Sequence, residues 1–218
     1  MTGDFHGASS SRAVAEHERW NHNIHYHPVV LAGVPSGARR ALHVGCGEGL
    51  LTRRLRAVVP QVTGIDLDPA SIDLAREQDD PAHPIDYVLG DVLTYPFAPG
   101  SFEVVTSVAT LHHMDAAAGL DRLRELLCPG GTLVVVGLAR PDLPADLPIL
   151  LAGALATRWY ALTCTRWEQP SPTVWPPPGT FAGARRLADG ILPGARYRRH
   201  LLWRYSLTWT KPTNPQVG

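Results

Sequence analysis

The chain has 218 residues, 44% of them hydrophobic and 18% charged, so it can bury one sizeable core and is not disordered by composition. Its 20 Lys and Arg balance 20 Asp and Glu, which argues against a generic polyanion binder and against nucleic acid as the default partner. Three widely spaced cysteines, Cys46, Cys128 and Cys164, suit reduced thiols of a cytoplasmic enzyme better than a disulfide framework or a structural metal.

The amino terminus has no basic start followed by an apolar run, so no secretory signal is expected. Residues 1–11 are small and polar and read as a disordered tip. Residues 12–37 carry Trp20, Ile24, Val29 and Val30 among several histidines and read as short helices forming a cap. The remaining residues, 38–218, read as one domain. A chain starting at Ala38 is accordingly expected to stay folded and to lose turnover.

From residue 41 the text alternates. Residues 41–46 form a short apolar run ending in glycines, a buried strand, and residues 49–59 space Leu50, Leu51, Leu55 and Val58 as a helix does. A second strand covers 61–66, Pro69 opens a helix to about 78, and 85–89 is a third strand. Residues 102–108 make a fourth, 115–127 an amphipathic helix, and the turn at Pro129, Gly130 and Gly131 leads into a fifth strand at 132–138.

The rhythm then fails in an insertion around 141–179. Its most apolar stretch, 143–162, is broken by Pro144, Asp146, Pro148 and Arg158, short of the roughly 18 uninterrupted residues of a membrane span, so no integral membrane contact is expected. A helix follows at 181–192, then two strands at 197–202 and 205–210 joined by a tight turn. The pattern is an α/β fold: a mostly parallel sheet covered on both faces and closed by an antiparallel hairpin. Ligands would lie at the carboxyl ends of its strands, where the loops after Cys46, Asp66, Leu89 and Val108 meet.

Gly45, Cys46, Gly47, Glu48 and Gly49 make a glycine loop between strand and helix, but Leu50 stands where the dinucleotide fingerprint wants its third glycine, which disfavours a nicotinamide. Asp66 ends the second strand, where a carboxylate can accept two bonds from ribose hydroxyls. Asp68, before Pro69, is the more natural helix cap and leaves Asp66 free. Asp91 follows the third strand and can accept from an adenine amino group. From Arg166 onward basic residues far outnumber Glu168 and Asp189; a solvated outer face weighs more here than a site for a substrate carboxylate or phosphate.

Five ordered motifs, HVGCGEG at 43–49, GIDLDP at 64–69, GDVLTYPF at 90–97, FEVVTSVATLHHM at 102–114 and LLCPGGTLVVV at 126–136, resemble the class I S-adenosylmethionine-dependent methyltransferases. The likeness is to the small-molecule type similar to the ubiquinone and menaquinone biosynthesis enzymes. The resemblance implies a Rossmann-like, doubly wound seven-stranded sheet of order 3-2-1-4-5-7-6. It implies S-adenosyl-L-methionine as cofactor, with S-adenosyl-L-homocysteine as product. Gly45, Cys46, Gly47 and Gly49 would lie under its methionine part, Asp66 on its ribose, Leu67 and Val92 against the adenine faces and Asp91 at the adenine edge, while Val108 would border the sulfonium.

One departure stands out. His43 takes the place of the family's usual Asp or Glu, which helps hold the cofactor's ammonium; a neutral imidazole there can only hydrogen-bond, and one protonated below about pH 6.5 would repel it. Glu48 reads as the start of a helix and not as a replacement.

Methyl transfer from a sulfonium is an in-line displacement with an activated leaving group, so orientation and exclusion of water can supply most of the catalysis. His112 and His113 are the first candidates for a base, against a reading as pocket wall, and His25 and Tyr26 of the cap are the second pair. The cap histidines lack Cys or acid companions at ligand spacing, so no metal is expected. Leu147, Ile149, Leu150, Leu151, Trp159, Tyr160, Trp167 and Trp175 would line an apolar acceptor pocket or simply pack the insertion. The reading is methyl transfer to oxygen or nitrogen of a small, hydrophobic, aromatic or peptide-like acceptor. The alternatives are a non-catalytic protein of the same fold and a cofactor-retaining enzyme of another reaction.

Overall fold

The structure, a computed structural model, describes residues 19–165, 167 and 176–213. The tip at 1–11 and Trp175 lie outside the described residues.

Seven strands form one sheet: β1 (Arg40–Val44), β2 (Gln61–Asp66), β3 (Asp86–Leu89), β4 (Phe102–Val108), β5 (Leu127–Leu138), β6 (Arg196–Arg199) and β7 (Arg204–Thr210). Their order is β3-β2-β1-β4-β5-β7-β6. The first five run parallel, and β7 is antiparallel to both β5 and β6. This is the order that the resemblance implies. Chain reversal between β1 and β4 opens the crevice in which such sheets bind ligands.

Period-two alternation sends each strand's side chains to two cores. Leu133 and Val135 of β5 face Leu120, Leu123 and Leu126 of α4 (Ala116–Leu126) and Ala188 of α6 (Phe181–Ile191). Val134 and Val136 face the other side, with Leu51 and Leu55 of α2 (Leu50–Arg56). A third, smaller cluster packs Ile72 and Ala75 of α3 (Pro69–Glu77) on Tyr87. Both faces are buried, which is why the strands read as unbroken apolar runs. Helix starts follow their capping residues: Asp68 accepts from the Ser71 amide at 3.1 Å and Asp115 from the Ala118 amide at 2.8 Å.

Three elements differ from expectation. The fifth strand begins at Leu127, because Phe102 pairs with Leu127 and Val104 with Thr132, so the Pro129 turn is an irregularity within the strand and not before it. The insertion contains α5 (Leu147–Thr163), which rests on Gly153, Ala156 and Tyr160 while Leu155 and Leu162 stand 71% and 81% exposed. An apolar residue on every face erases the period that would have revealed the helix. The closing hairpin turns at 200–203, with Leu202 and Trp203 in the left-handed region at φ 58° and 57°. That conformation costs a non-glycine residue about 1 kcal/mol or more, offset here by full burial of the Leu202 side chain.

The cap is built from a 3₁₀ turn (Ile24–Tyr26) and α1 (His27–Ala32), and it is more than a cover. Ile24, Tyr26 and Val30 are buried, and Tyr26 and Val30 complete the core on Val104, Val134 and Val136. Their burial contributes roughly 2 kcal/mol apiece, a large part of the roughly 10 kcal/mol by which a domain is stable. The chain starting at Ala38 is therefore expected to aggregate or unfold, contrary to the sequence-based expectation. Val30→Ala should cost roughly 2 kcal/mol in urea denaturation. A truncated chain with an unchanged midpoint would refute this.

Candidate active site

The loop after β1 is held open by its glycines. Gly45 has φ 70°, and a Cβ there would overlap the Thr110 side chain. Gly49 has φ 81° and serves as the amino-terminal cap of α2. The amides of Gly45 and Cys46 both donate to the Ile65 carbonyl, at 2.9 and 3.1 Å, which bends the loop over the end of β2.

Asp66 stands at that end. Its Oδ2 accepts from the Gly47 amide at 2.8 Å and its Oδ1 from the Asp68 amide at 3.0 Å. The carboxylate thus braces the glycine loop, and its spare lone pairs can still receive hydroxyls. Asp91 accepts from the Leu93 amide at 2.9 Å, and the Gly90 amide donates to the Asp66 carbonyl, also at 2.9 Å, so the loops after β2 and β3 adjoin. Leu67 is exposed while Val92 is buried, which gives an apolar flank and floor. Val108 ends β4, and Thr110 Oγ1 donates to the Val44 carbonyl at 3.3 Å, tying the loop after β4 to the end of β1.

Two expected cofactor residues turn away. Cys46 offers only its backbone: its side chain packs with Ile72 and Tyr87, and burial pushes the thiol pKa up. The His43 side chain is buried and its Nδ1 lies 2.8 Å from Thr52 Oγ1 of α2. Burial lowers its pKa to about 3, so the imidazole stays neutral well below pH 6.5 and the expected repulsion of an ammonium does not arise.

Glu48 is the residue that sequence reasoning set aside. It precedes the cap Gly49 and so lies in the loop, outside the helix it was expected to start. Its side chain is buried, Oε1 accepts from Trp167 Nε1 at 2.8 Å, and Oε2 accepts no hydrogen bond, with Arg19 Nη1 at 3.6 Å. The Arg19 guanidinium in turn covers the Trp167 ring at 4.1 Å. The Trp167 amide donates to the Trp20 carbonyl at 2.7 Å and the Trp20 amide to the Thr165 carbonyl at 3.2 Å, so cap and insertion join beside the loop. No local signal marks this, because Trp167 is 119 residues from Glu48.

The remaining candidates separate. His112 and His113 form a 3₁₀ turn after β4 with ring centroids 4.0 Å apart, but His113 is exposed while His112 is half-buried with an unpartnered Nδ1. Burial first, then His113 and Arg204, lower the His112 pKa to about 4. His25 packs between Tyr26 and Tyr160, with centroids at 4.8 and 4.9 Å. The Tyr26 hydroxyl donates to the Leu201 carbonyl at 2.8 Å, tying the cap to the hairpin turn, and burial raises its pKa to about 12. His27 points the other way, to Arg54 at 3.1 Å. Of the expected acceptor lining, Ile149 and Tyr160 border a cavity, Leu147, Leu151 and Trp159 are exposed, and Trp167 is committed to Glu48.

Residues 42–135 match the methyltransferase domain family. An uncharacterized methyltransferase of Mycobacterium tuberculosis is 39% identical over 199 residues, 88% of this chain and 98% of the relative. The ubiquinone biosynthesis O-methyltransferase of Xanthomonas campestris is 37% identical over 128 residues, 57% of this chain and 53% of the relative. A crystal structure of a Pyrococcus horikoshii protein shares the fold, with a TM-score of 0.63 at 16% identity, covering 85% of this chain and 87% of that one. A relative matched over almost its whole length, on a sheet of the same order, decides the family: the chain belongs to the class I S-adenosylmethionine-dependent methyltransferases, enzymes whose cofactor is S-adenosylmethionine.

Proposed function

We propose that the crevice over the glycine loop holds S-adenosylmethionine and that the chain transfers its methyl to oxygen or nitrogen of a small, largely apolar acceptor in the adjoining cavity. The observation that carries this reading is a cavity of about 350 Å³ at the carboxyl edge of the sheet, lined by His25, Tyr26, Ile149, Tyr160, Leu201 and Leu202 together with cations of β6. A small apolar ligand fits such walls. The three free cysteines suit the cytoplasm, and among the described residues no helix is long and apolar enough to cross a membrane.

The donor set fits the cofactor. Asp66 would accept the ribose hydroxyls, Leu67 and Val92 would flank the adenine, and Asp91 would meet its edge. Glu48, whose Oε2 accepts no hydrogen bond and lies 3.6 Å from Arg19 Nη1, is the buried carboxylate proposed for the ammonium, in place of His43. The bound cofactor supplies a methyl on a sulfonium, whose leaving group is already activated.

The chain's own part is to orient the acceptor and keep water out. Trp20 stacks at 4.8 Å on Tyr160, which lines the cavity. Tyr26 fixes that cap through its bond to Leu201 and holds position without moving a proton. The base proposed for the acceptor's O–H or N–H is His112, which follows β4, is kept neutral by burial and has a buried, unpartnered Nδ1.

The test is release of S-adenosylhomocysteine, with labelled methyl appearing in solvent-extractable small molecules. His112→Ala should lower kcat roughly a hundredfold with S-adenosylhomocysteine affinity retained, and His113→Ala by only a few-fold. Label found only in macromolecules, or equal effects of the two variants, would overturn the reading.

A further inference from the structure

The basic residues of the closing hairpin divide by face. Arg198 pairs in register with Ser206, and the His200 amide donates to the Arg204 carbonyl at 2.8 Å. Residues opposite one another in a ladder share a face, so Arg198, His200 and Arg204 lie together on the side that Tyr26 and Leu202 occupy. Arg199 is already committed, to Asp146 at 2.6 Å and over the Phe181 ring at 4.7 Å.

Arg204 is 6% exposed and has no carboxylate partner among the described residues. Its Nη1 donates to the Leu202 carbonyl at 3.0 Å and its Nη2 to Asn23 Oδ1 at 2.7 Å, while Nε has no partner. Burial lowers its pKa to about 10, which leaves it charged at neutral pH. A buried cation without a counter-ion costs several kcal/mol, and a structural role alone would be served by a neutral donor. Arg198 lines the 350 Å³ cavity, is exposed and has no ion pair among the described residues. His200 lines it as well, its Nε2 2.8 Å from Ser206 Oγ, and no acidic residue does among the described residues. Two guanidinium groups without a carboxylate partner among the described residues, Arg198 and Arg204, thus meet at this edge.

We propose that the cavity takes an acidic acceptor, a small molecule with an apolar body on Ile149, Leu201 and Leu202 and a carboxylate held by Arg198, with the buried Arg204 adding positive charge from behind the Tyr26 and Leu202 wall. The guanidinium fork of Arg198 matches a carboxylate geometrically, and such charge-assisted bonds are the stronger kind. This rests on the reading of the cavity as the acceptor pocket and names the class of acceptor.

The experiment uses the full chain loaded with S-adenosylhomocysteine and three probes of one chain length, octanoate, octanamide and octyl phosphate, titrated by calorimetry. Octanoate is expected to bind at least about tenfold tighter than octanamide, and tighter than octyl phosphate, with the advantage shrinking in high salt. Arg198→Gln should remove most of that advantage. Arg204→Met should remove the rest, but its burial puts the fold at risk, so the exposed Arg198 carries the test. Octanoate and octanamide binding alike or not at all, an octanoate advantage that survives Arg198→Gln, or preference for octyl phosphate would each overturn the proposal. Loss of S-adenosylhomocysteine binding by the wild-type chain would instead fault the cofactor site, so the two failures are distinguishable.

Discussion

Asp66→Ala is expected to weaken S-adenosylmethionine binding by roughly 2 kcal/mol, about thirtyfold, in calorimetry at neutral pH. Two effects add. The ribose loses a charged acceptor, and the amides of Gly47 and Asp68 lose the oxygens that they bond at 2.8 and 3.0 Å, so the loop loosens. Asp66→Asn keeps one acceptor and should lose less. Glu48→Gln divides the site further, because it preserves an oxygen for Trp167 while removing the charge. It should weaken S-adenosylhomocysteine by about tenfold and leave 5′-methylthioadenosine, which has no ammonium, unaffected. Unchanged affinity in Asp66→Ala would show that the nucleotide lies elsewhere, and equal losses of both ligands in Glu48→Gln would remove Glu48 from the amino-acid end.

What the sequence shows and what it hides follow from the range of the interactions. β2 and β4 are legible because an apolar run bounded by turn residues is a local signal, and the caps at Asp68 and Asp115 are legible because each bonds three residues ahead. The role of Glu48 is not, since a distant tryptophan buries it. α5 is hidden by apolar residues around its whole circumference. The basic carboxy-terminal quarter reads as a solvated face, and Arg196 and Arg198 are indeed exposed, but Arg204 is buried. A charge count cannot make that distinction. Hairpin register makes it, and the register depends on a turn whose two left-handed residues are leucine and tryptophan, outside the Asn-Gly preference that marks such turns.

Stability should fall steeply with acid, because two imidazoles are buried neutral. Burial lowers the pKa of both His43 and His27 to about 3, with Arg54 and His43 adding to the effect on His27. In the unfolded chain both titrate near their ordinary 6.5. Above that pH they are neutral in both states, and the full stability is present. As pH falls below 6.5 the unfolded chain takes up protons that the folded chain refuses until about pH 3, so stability is lost across that window. Each site should cost roughly 2 kcal/mol by pH 5, together a large fraction of a domain's stability. Urea midpoints at pH 7.5 and pH 5 measure the loss, and His43→Gln with His27→Gln should flatten the dependence even if the variant is less stable throughout. Cofactor affinity, in contrast, should show no step near pH 6.5 in the folded protein, because His43 carries no charge there. An acid-insensitive midpoint, or an affinity that falls with an apparent pKa of 6.5 and recovers in His43→Gln, would mean that His43 is open to protons and faces the cofactor after all.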